Sequence, residues 1–128
     1  MNIIISNASG RPFYEQIYAQ IRAAILSGEA APGELLPSIR ALARDLRVSV
    51  ITTKRAYDEL ERDGFINTVA GRGCFVAERS AEWAREEQLR QIEEHLTAAV
   101  ELASQAHITG GELLEMLRVA AEQERSET

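Results

Sequence analysis

Residues 38–64 read SIRALARDLRVSVITTKRAYDELERDG, and the fold of this 128-residue chain turns on them. Ser38, coming after Pro37, suits the cap of a short helix whose inner face is Ile39, Leu42, Ala43 and Leu46. Arg40, Arg44 and Arg47 fall on its other faces. Three residues, Arg47-Val48-Ser49, separate it from a second helix, and Ser49 again has the chemistry of a cap. That second helix starts at Val50, buries Ala56, Tyr57 and Leu60, and stops at Gly64. Two short helices joined by so tight a turn are the signature of a helix-turn-helix. The next stretch, FINTVAGRGCFVAE (65–78), adds two β-rich runs, Phe65 to Val69 and Cys74 to Ala77, around the turn Ala70-Gly71-Arg72-Gly73. A hairpin in that place makes the motif a winged helix-turn-helix.

Upstream, Pro12 suits the first turn of a helix in which Phe13, Ile17, Ile21 and Ile25 recur at every fourth position. Tyr14, Tyr18 and Leu26 widen that stripe, and Gly28 ends it. AAPGELLP (30–37) is a turn with Leu35-Leu36 as a short strand, and Ile3-Ile4-Ile5 is β-prone. Downstream of Ser80, Leu89, Ile92, Leu96, Ala99 or Val100, and Ala103 keep the spacing of a long amphipathic helix. Ala106-His107-Ile108 breaks it, and Thr109 with Glu112 forms a capping box for a last helix striped by Leu113, Leu114, Leu117, Ala120 and Ala121. The expected fold is mainly α with a small β wing. An N-terminal winged helix-turn-helix domain (1–79) precedes a short two-helix C-terminal region (80–128).

The formal net charge of −6 speaks against a nucleic-acid partner only as a whole-chain average. Residues 1–79 hold ten Lys and Arg against nine Asp and Glu, a net of +1, whereas residues 80–128 hold four against eleven, a net of −7. The asymmetry marks two modules with different partners. The apolar runs are far shorter than the roughly 20 residues of a membrane span, and the first ten residues lack the pattern of a secretory signal. A lone cysteine, Cys74, fits a reducing cytoplasm.

In a winged helix-turn-helix the N-terminal residues of the second helix reach base edges in the major groove. Here that start is Ser49-Val50-Ile51-Thr52-Thr53-Lys54-Arg55. Thr52 and Thr53 can hydrogen-bond bases or phosphate, and Lys54 and Arg55 can pair with phosphate or guanine. Val50 and Ile51 touch thymine methyls if they point outward, or staple the turn to the core if they do not. At the hairpin tip, Gly71 and Gly73 allow close backbone approach, and Arg72 between them suits a narrow minor groove. Each residue alone also reads as ordinary surface. The four features in the right order carry the reading.

The stretch LPSIRALARDLRVSVITTKRAYDELERDGFINTVAGRGCFV resembles the DNA-binding domain of GntR-type bacterial transcription regulators, and PFYEQIYAQIRAAILSGEAAPGELLPS is similar to that family's first helix and glycine-bearing turn. The resemblance covers about residues 11–77, and the short helical remainder looks like the YtrA subfamily. It implies DNA contacts from Ser38 and Arg40, from Thr52 and Lys54, and from Gly71. It also implies a dimeric repressor, often of an operon for an ATP-driven transporter. Val50, Ile51 and Lys54 stand where many relatives carry arginine, a polar residue and a second arginine, so the operators of those relatives do not transfer.

No enzyme is expected. His95 and His107 lack carboxylate or cysteine neighbours at ligand spacing, Cys74 sits in an apolar strand, and GRG (71–73) lies inside a hairpin rather than before a helix. No metal, cofactor or membrane partner is implied, and no effector can be named. The expected partners are a double-stranded DNA operator and a second copy of the chain. Leu89, Ile92, Leu96, Val100, Leu113, Leu114 and Leu117 form a stripe too large for two helices to bury alone. A two-fold dimer covers it, and an intrachain hairpin packed on the winged domain is the alternative. The rival to DNA binding is a winged helix used for protein–protein contact.

Overall fold

The computed structural model describes residues 1–79 and 81–127. The chain divides into two units, Met1–Ala84 and Arg85–Thr128. The mainly helical fold with a small β wing expected from the sequence is the one adopted.

In the first unit, α1 (Phe13–Ser27) buries Ile17, Ile21 and Ala24 on one face and closes on Gly28. Pro12 sits one position before the helix rather than inside its first turn. Helix α2 (Ile39–Leu46) is opened by Ser38, whose hydroxyl accepts the Ala41 N–H at 3.0 Å. It closes on Arg47, which takes a left-handed backbone (φ 58°, ψ 42°) without being glycine. Helix α3 (Val50–Arg62) is opened by Ser49 and turns Thr53, Ala56, Tyr57 and Leu60 inward. These stripes meet in one core with Leu36, Phe65, Ile66 and Val76. Trp83 stacks edge-on against Phe65, with ring centroids 5.4 Å apart. The Tyr57 hydroxyl crosses this core to donate to the Pro37 carbonyl at 2.7 Å, which fixes the start of α2 relative to α3.

The wing pairs β1 (Ile66–Val69) with β2 (Gly73–Val76) in antiparallel register, Ile66 opposite Val76 and Val69 opposite Gly73. Its turn closes through the Arg72 N–H on the Val69 carbonyl at 2.9 Å, with Gly71 at φ 77°. That backbone is costly for any residue with a Cβ. Gly73 is fixed by a second constraint, since a Cβ there would meet Leu35 Cδ1 at 3.1 Å. Leu35 forms a single bridge to Phe75 rather than a full strand. On its flanks Leu36 donates to the Cys74 carbonyl and Val76 to the Glu34 carbonyl, both at 2.9 Å.

Ile3-Ile4-Ile5 forms no strand. Ile3 and Ile5 pack on the core, and two glutamines of α1 stand in for a neighbouring strand. Gln20 accepts the Ile4 N–H at 2.8 Å and donates to its carbonyl at 2.7 Å. Gln16, almost fully buried, accepts the Ser6 N–H and donates to the Ser6 and Arg11 carbonyls, each at 2.9 Å. A side-chain amide offers the same donor and acceptor as a peptide group, so the segment is satisfied without a ladder.

α4 (Ala81–Gln105) and α5 (Gly110–Glu127) complete the order. α4 gives way to His107 in the left-handed region (φ 59°), and Thr109 then opens α5 by accepting the Glu112 N–H at 3.1 Å. Glu112 returns to the Thr109 hydroxyl rather than to its backbone. In the second unit, Ala103 is the one buried apolar residue among those described. Leu96, Val100, Leu113, Leu114 and Leu117 line an open apolar groove of about 650 Å³. The outer faces are held by Arg90 between Glu87 and Glu94, and by Arg118 between Glu115 and Glu122. None of the described helices is long and apolar enough to cross a membrane.

Candidate nucleic-acid interface

α3 owes its position to its caps and its core. The Ser49 hydroxyl accepts the Thr52 N–H at 3.0 Å and donates to Thr52 Oγ1 at 2.8 Å. Both hydroxyls are thus already engaged in starting the helix, and Ser38 plays the same part for α2. Thr53 does not lie on the outward face where the sequence reading placed it. It is 0% exposed, and its hydroxyl donates to the Ser49 carbonyl at 3.2 Å. It falls three, four and seven positions from Ala56, Tyr57 and Leu60, which is the inner stripe of a helix. A buried threonine is tolerated there because the preceding turn takes its only proton.

Opposite that stripe, Ile51, Lys54, Arg55, Asp58, Glu59 and Arg62 surround a shallow depression of about 430 Å³. Its cations are not loose. Lys54 Nζ lies 2.7 Å from Asp58, and Arg55 lies 3.6 Å from Glu59. The Arg55 guanidinium also covers the Tyr14 ring at 3.7 Å, which ties it to α1. Val50 is 45% exposed and Ile51 81%. Among the described residues, Arg40, Arg47 and Arg72 have no acidic partner within ion-pair distance, and all three are exposed. Arg72 shares a second depression, beside the wing, with Arg79 and Asn67. No residue is common to the two depressions.

The wing is tied to α3 by Glu61, whose carboxylate accepts the Thr68 N–H at 2.6 Å. Tyr18 on α1 donates its hydroxyl to Asp63 at the end of α3. Burial, then that hydrogen bond and the Asp63 charge, push the Tyr18 hydroxyl up to about 12, against a weaker opposing effect from Arg22. Burial, and secondarily Cys74, hold the Tyr57 hydroxyl above the usual tyrosine range. Cys74 itself is half-buried in β2, with Sγ 3.5 Å from Thr68 Oγ1. No group of three or more His, Cys, Asp or Glu is placed to hold a metal ion among the described residues.

Three residues that shape the candidate interface are not singled out for it by the sequence. Glu61 and Tyr14 act through contacts between elements, which periodicity does not report. Asp58 was readable, since it stands four positions after Lys54 on one helix face.

Residues 13–76 match the family of bacterial regulatory proteins described as gntR. The HTH-type transcriptional repressor YtrA of Bacillus subtilis (strain 168) is 39% identical over 111 residues, covering 87% of this chain and 83% of that protein. The structure of YtrA from Sulfolobus acidocaldarius, a GntR-family transcription factor, is 40% identical with a TM-score of 0.60, covering 75% of this chain and 97% of that one. AraR(DBD), solved in complex with operator ORE1, is 27% identical with a TM-score of 0.51, covering 60% and 94%.

Proposed function

This chain belongs to the gntR family of bacterial regulatory proteins, and from that membership we propose that it works as a homodimeric repressor reading an inverted-repeat operator in double-stranded DNA. The observation that carries the DNA reading is α3, fixed by its cap and core, with its first turn and a depression rimmed by Lys54, Arg55 and Arg62 turned outward. In helix-turn-helix proteins that turn reads base edges while neighbouring residues take phosphates. Ser38, Arg40, Ser49, Val50, Thr52, Lys54, Arg55, Gly71 and Arg72 make up the proposed DNA-facing set. Arg40 and Arg72 of that set, with Arg47 at the end of α2, lack acid partners among the described residues and supply its electrostatics. No catalytic step is assigned to it, and its place is the cytoplasm, with the chromosome.

The dimer is supported by Leu89, Ile92, Leu96, Val100, Leu114 and Leu117, all of which stay exposed within the single chain. With half-buried Leu113 they form an apolar face that a second copy covers by two-fold symmetry. Such a dimer presents two recognition helices to half-sites about 34 Å apart. Repression then needs only a dimer seated on a promoter. An operon for an ATP-driven transporter is the proposed target, by likeness to the YtrA subfamily.

One experiment separates the parts. Full-length protein and the Leu96→Glu/Leu117→Glu variant are compared by sedimentation and by binding to genomic DNA fragments at two salt concentrations. The native protein sediments as a dimer and weakens steeply with salt, with a log–log slope of about −5 for six phosphate contacts. The variant sediments as a monomer and binds about 100-fold more weakly, because the two half-sites no longer act together. A flat salt response overturns the DNA reading, and a dimeric variant of unchanged affinity overturns the dimer.

A further inference from the structure

We infer that Ile51 is a specificity-determining residue of this regulator, and that it reads the C5-methyl group of a thymine in the major groove. The inference rests on the DNA-binding reading above and adds to it the chemical group recognised. Ile51 is 81% exposed, more than any other large apolar side chain among the described residues. It is the second residue of α3 and lies on the face opposite Thr53, Ala56, Tyr57 and Leu60. That position belongs to the turn from which helix-turn-helix proteins reach bases. Val50, the other apolar residue of this turn, is only about half as exposed, at 45%.

The surroundings of Ile51 narrow what it can recognise. Every other residue rimming its depression is charged, and four of them are paired within the helix, Lys54 with Asp58 and Arg55 with Glu59. Arg55 is further held on the Tyr14 ring. An isoleucine gains nothing from a phosphate and offers no hydrogen bond to a base edge. The major groove presents one alkyl group, the thymine C5-methyl; apart from the small C5–H of cytosine, its other base-edge features are donors or acceptors. A branched aliphatic side chain projecting from the first turn, between cations that stay at the rim, fits that methyl and rejects the amino group of cytosine. Removing water from both is the source of the preference.

The test uses full-length protein and its Ile51→Ala variant, each selecting from a random duplex library. Thermal melting first checks the variant, whose fold should be intact because the side chain is exposed. The native protein enriches a motif with a thymine at one position of each half-site, and Ile51→Ala enriches the same motif with that position relaxed. On the duplex chosen by the native protein, replacing that thymine by deoxyuridine removes only the methyl. Native affinity should fall about fourfold per half-site, the effect of one buried methyl group, and Ile51→Ala should not respond. The salt dependence of the two proteins should coincide, since Ile51 neutralises no phosphate. Identical motifs from both proteins, or equal responses to deoxyuridine at every thymine, overturn the inference while leaving DNA binding intact. A native protein that enriches no motif overturns the DNA reading and this inference together.

Discussion

The winged unit and the helical unit of this chain treat apolar side chains in opposite ways. In the first, Ile17, Ile21, Tyr57, Leu60 and Ile66 are essentially removed from water. In the second, Leu96, Leu102, Leu114 and Leu117 face outward and only Ala103 is buried among the described residues. Charge divides along similar lines, near balance up to Arg79 and strongly acidic beyond it. A unit that completes its own core leaves its surface for a ligand of another kind. A unit that does not complete its core has its surface committed to something apolar, and on the proposed reading that is its own copy.

The contrast breaks most readily at Leu60. Replacing it with alanine should cost the winged unit about 3 kcal/mol, since a fully buried leucine loses both its transfer energy and its packing. Trp83, the only tryptophan, stacks on Phe65 and reports this unit in urea titrations. The Leu60→Ala loss should be the same at every protein concentration. Leu117→Ala, by contrast, should lower a stability of the helical unit that rises with concentration, as association requires. A Leu117→Ala effect that ignores concentration removes the distinction.

Alkaline pH should act on one unit only, because all three tyrosines lie before residue 80. Tyr18 and Tyr57 both hold their protons more tightly folded than unfolded. Their contribution is complete below pH 10 and is lost as pH rises through about 12, the value reached by Tyr18. Urea midpoints followed at Trp83 should fall across that window, and less so in Tyr18→Phe. The helicity of a separately observed C-terminal signal should not follow.

The smallest effect concerns Arg47 and His107, one in each unit, the two non-glycine residues with left-handed backbones among those described. Glycine relieves that conformation, so Arg47→Gly should raise the stability of the winged unit by about 1 kcal/mol. Differential scanning calorimetry reads it as a higher melting temperature for the transition seen at Trp83. His107→Gly should leave that transition where it is.

Much of this was legible in sequence because it is local. Ser38, Ser49 and the Thr109–Glu112 pair announce helix starts through bonds that span three residues, and Gly28 announces an end in the same way. Thr53 was misplaced although its spacing from Ala56, Tyr57 and Leu60 was available, since its polarity outweighed its position. The Gln16 and Gln20 clamp, the Arg55–Tyr14 stack and the Glu61 tether to the wing join one element to another rather than neighbours on one helix face. No periodicity encodes such contacts. The sequence also left Val50 and Ile51 equivalent, and only the packing of α3 separates them.

The bridge between Leu35 and Phe75 gives the wing a place in time as well as in space. Two strands of four residues are marginal as an isolated hairpin. Here the third line of pairing comes from the segment before α2, so both helices of the reading motif lie in the loop that this contact closes. Closing a loop that long is an entropic debt met only once the helices inside it have packed. The wing should therefore form late in folding and open early in unfolding, and its amide hydrogens should exchange ahead of those of α3.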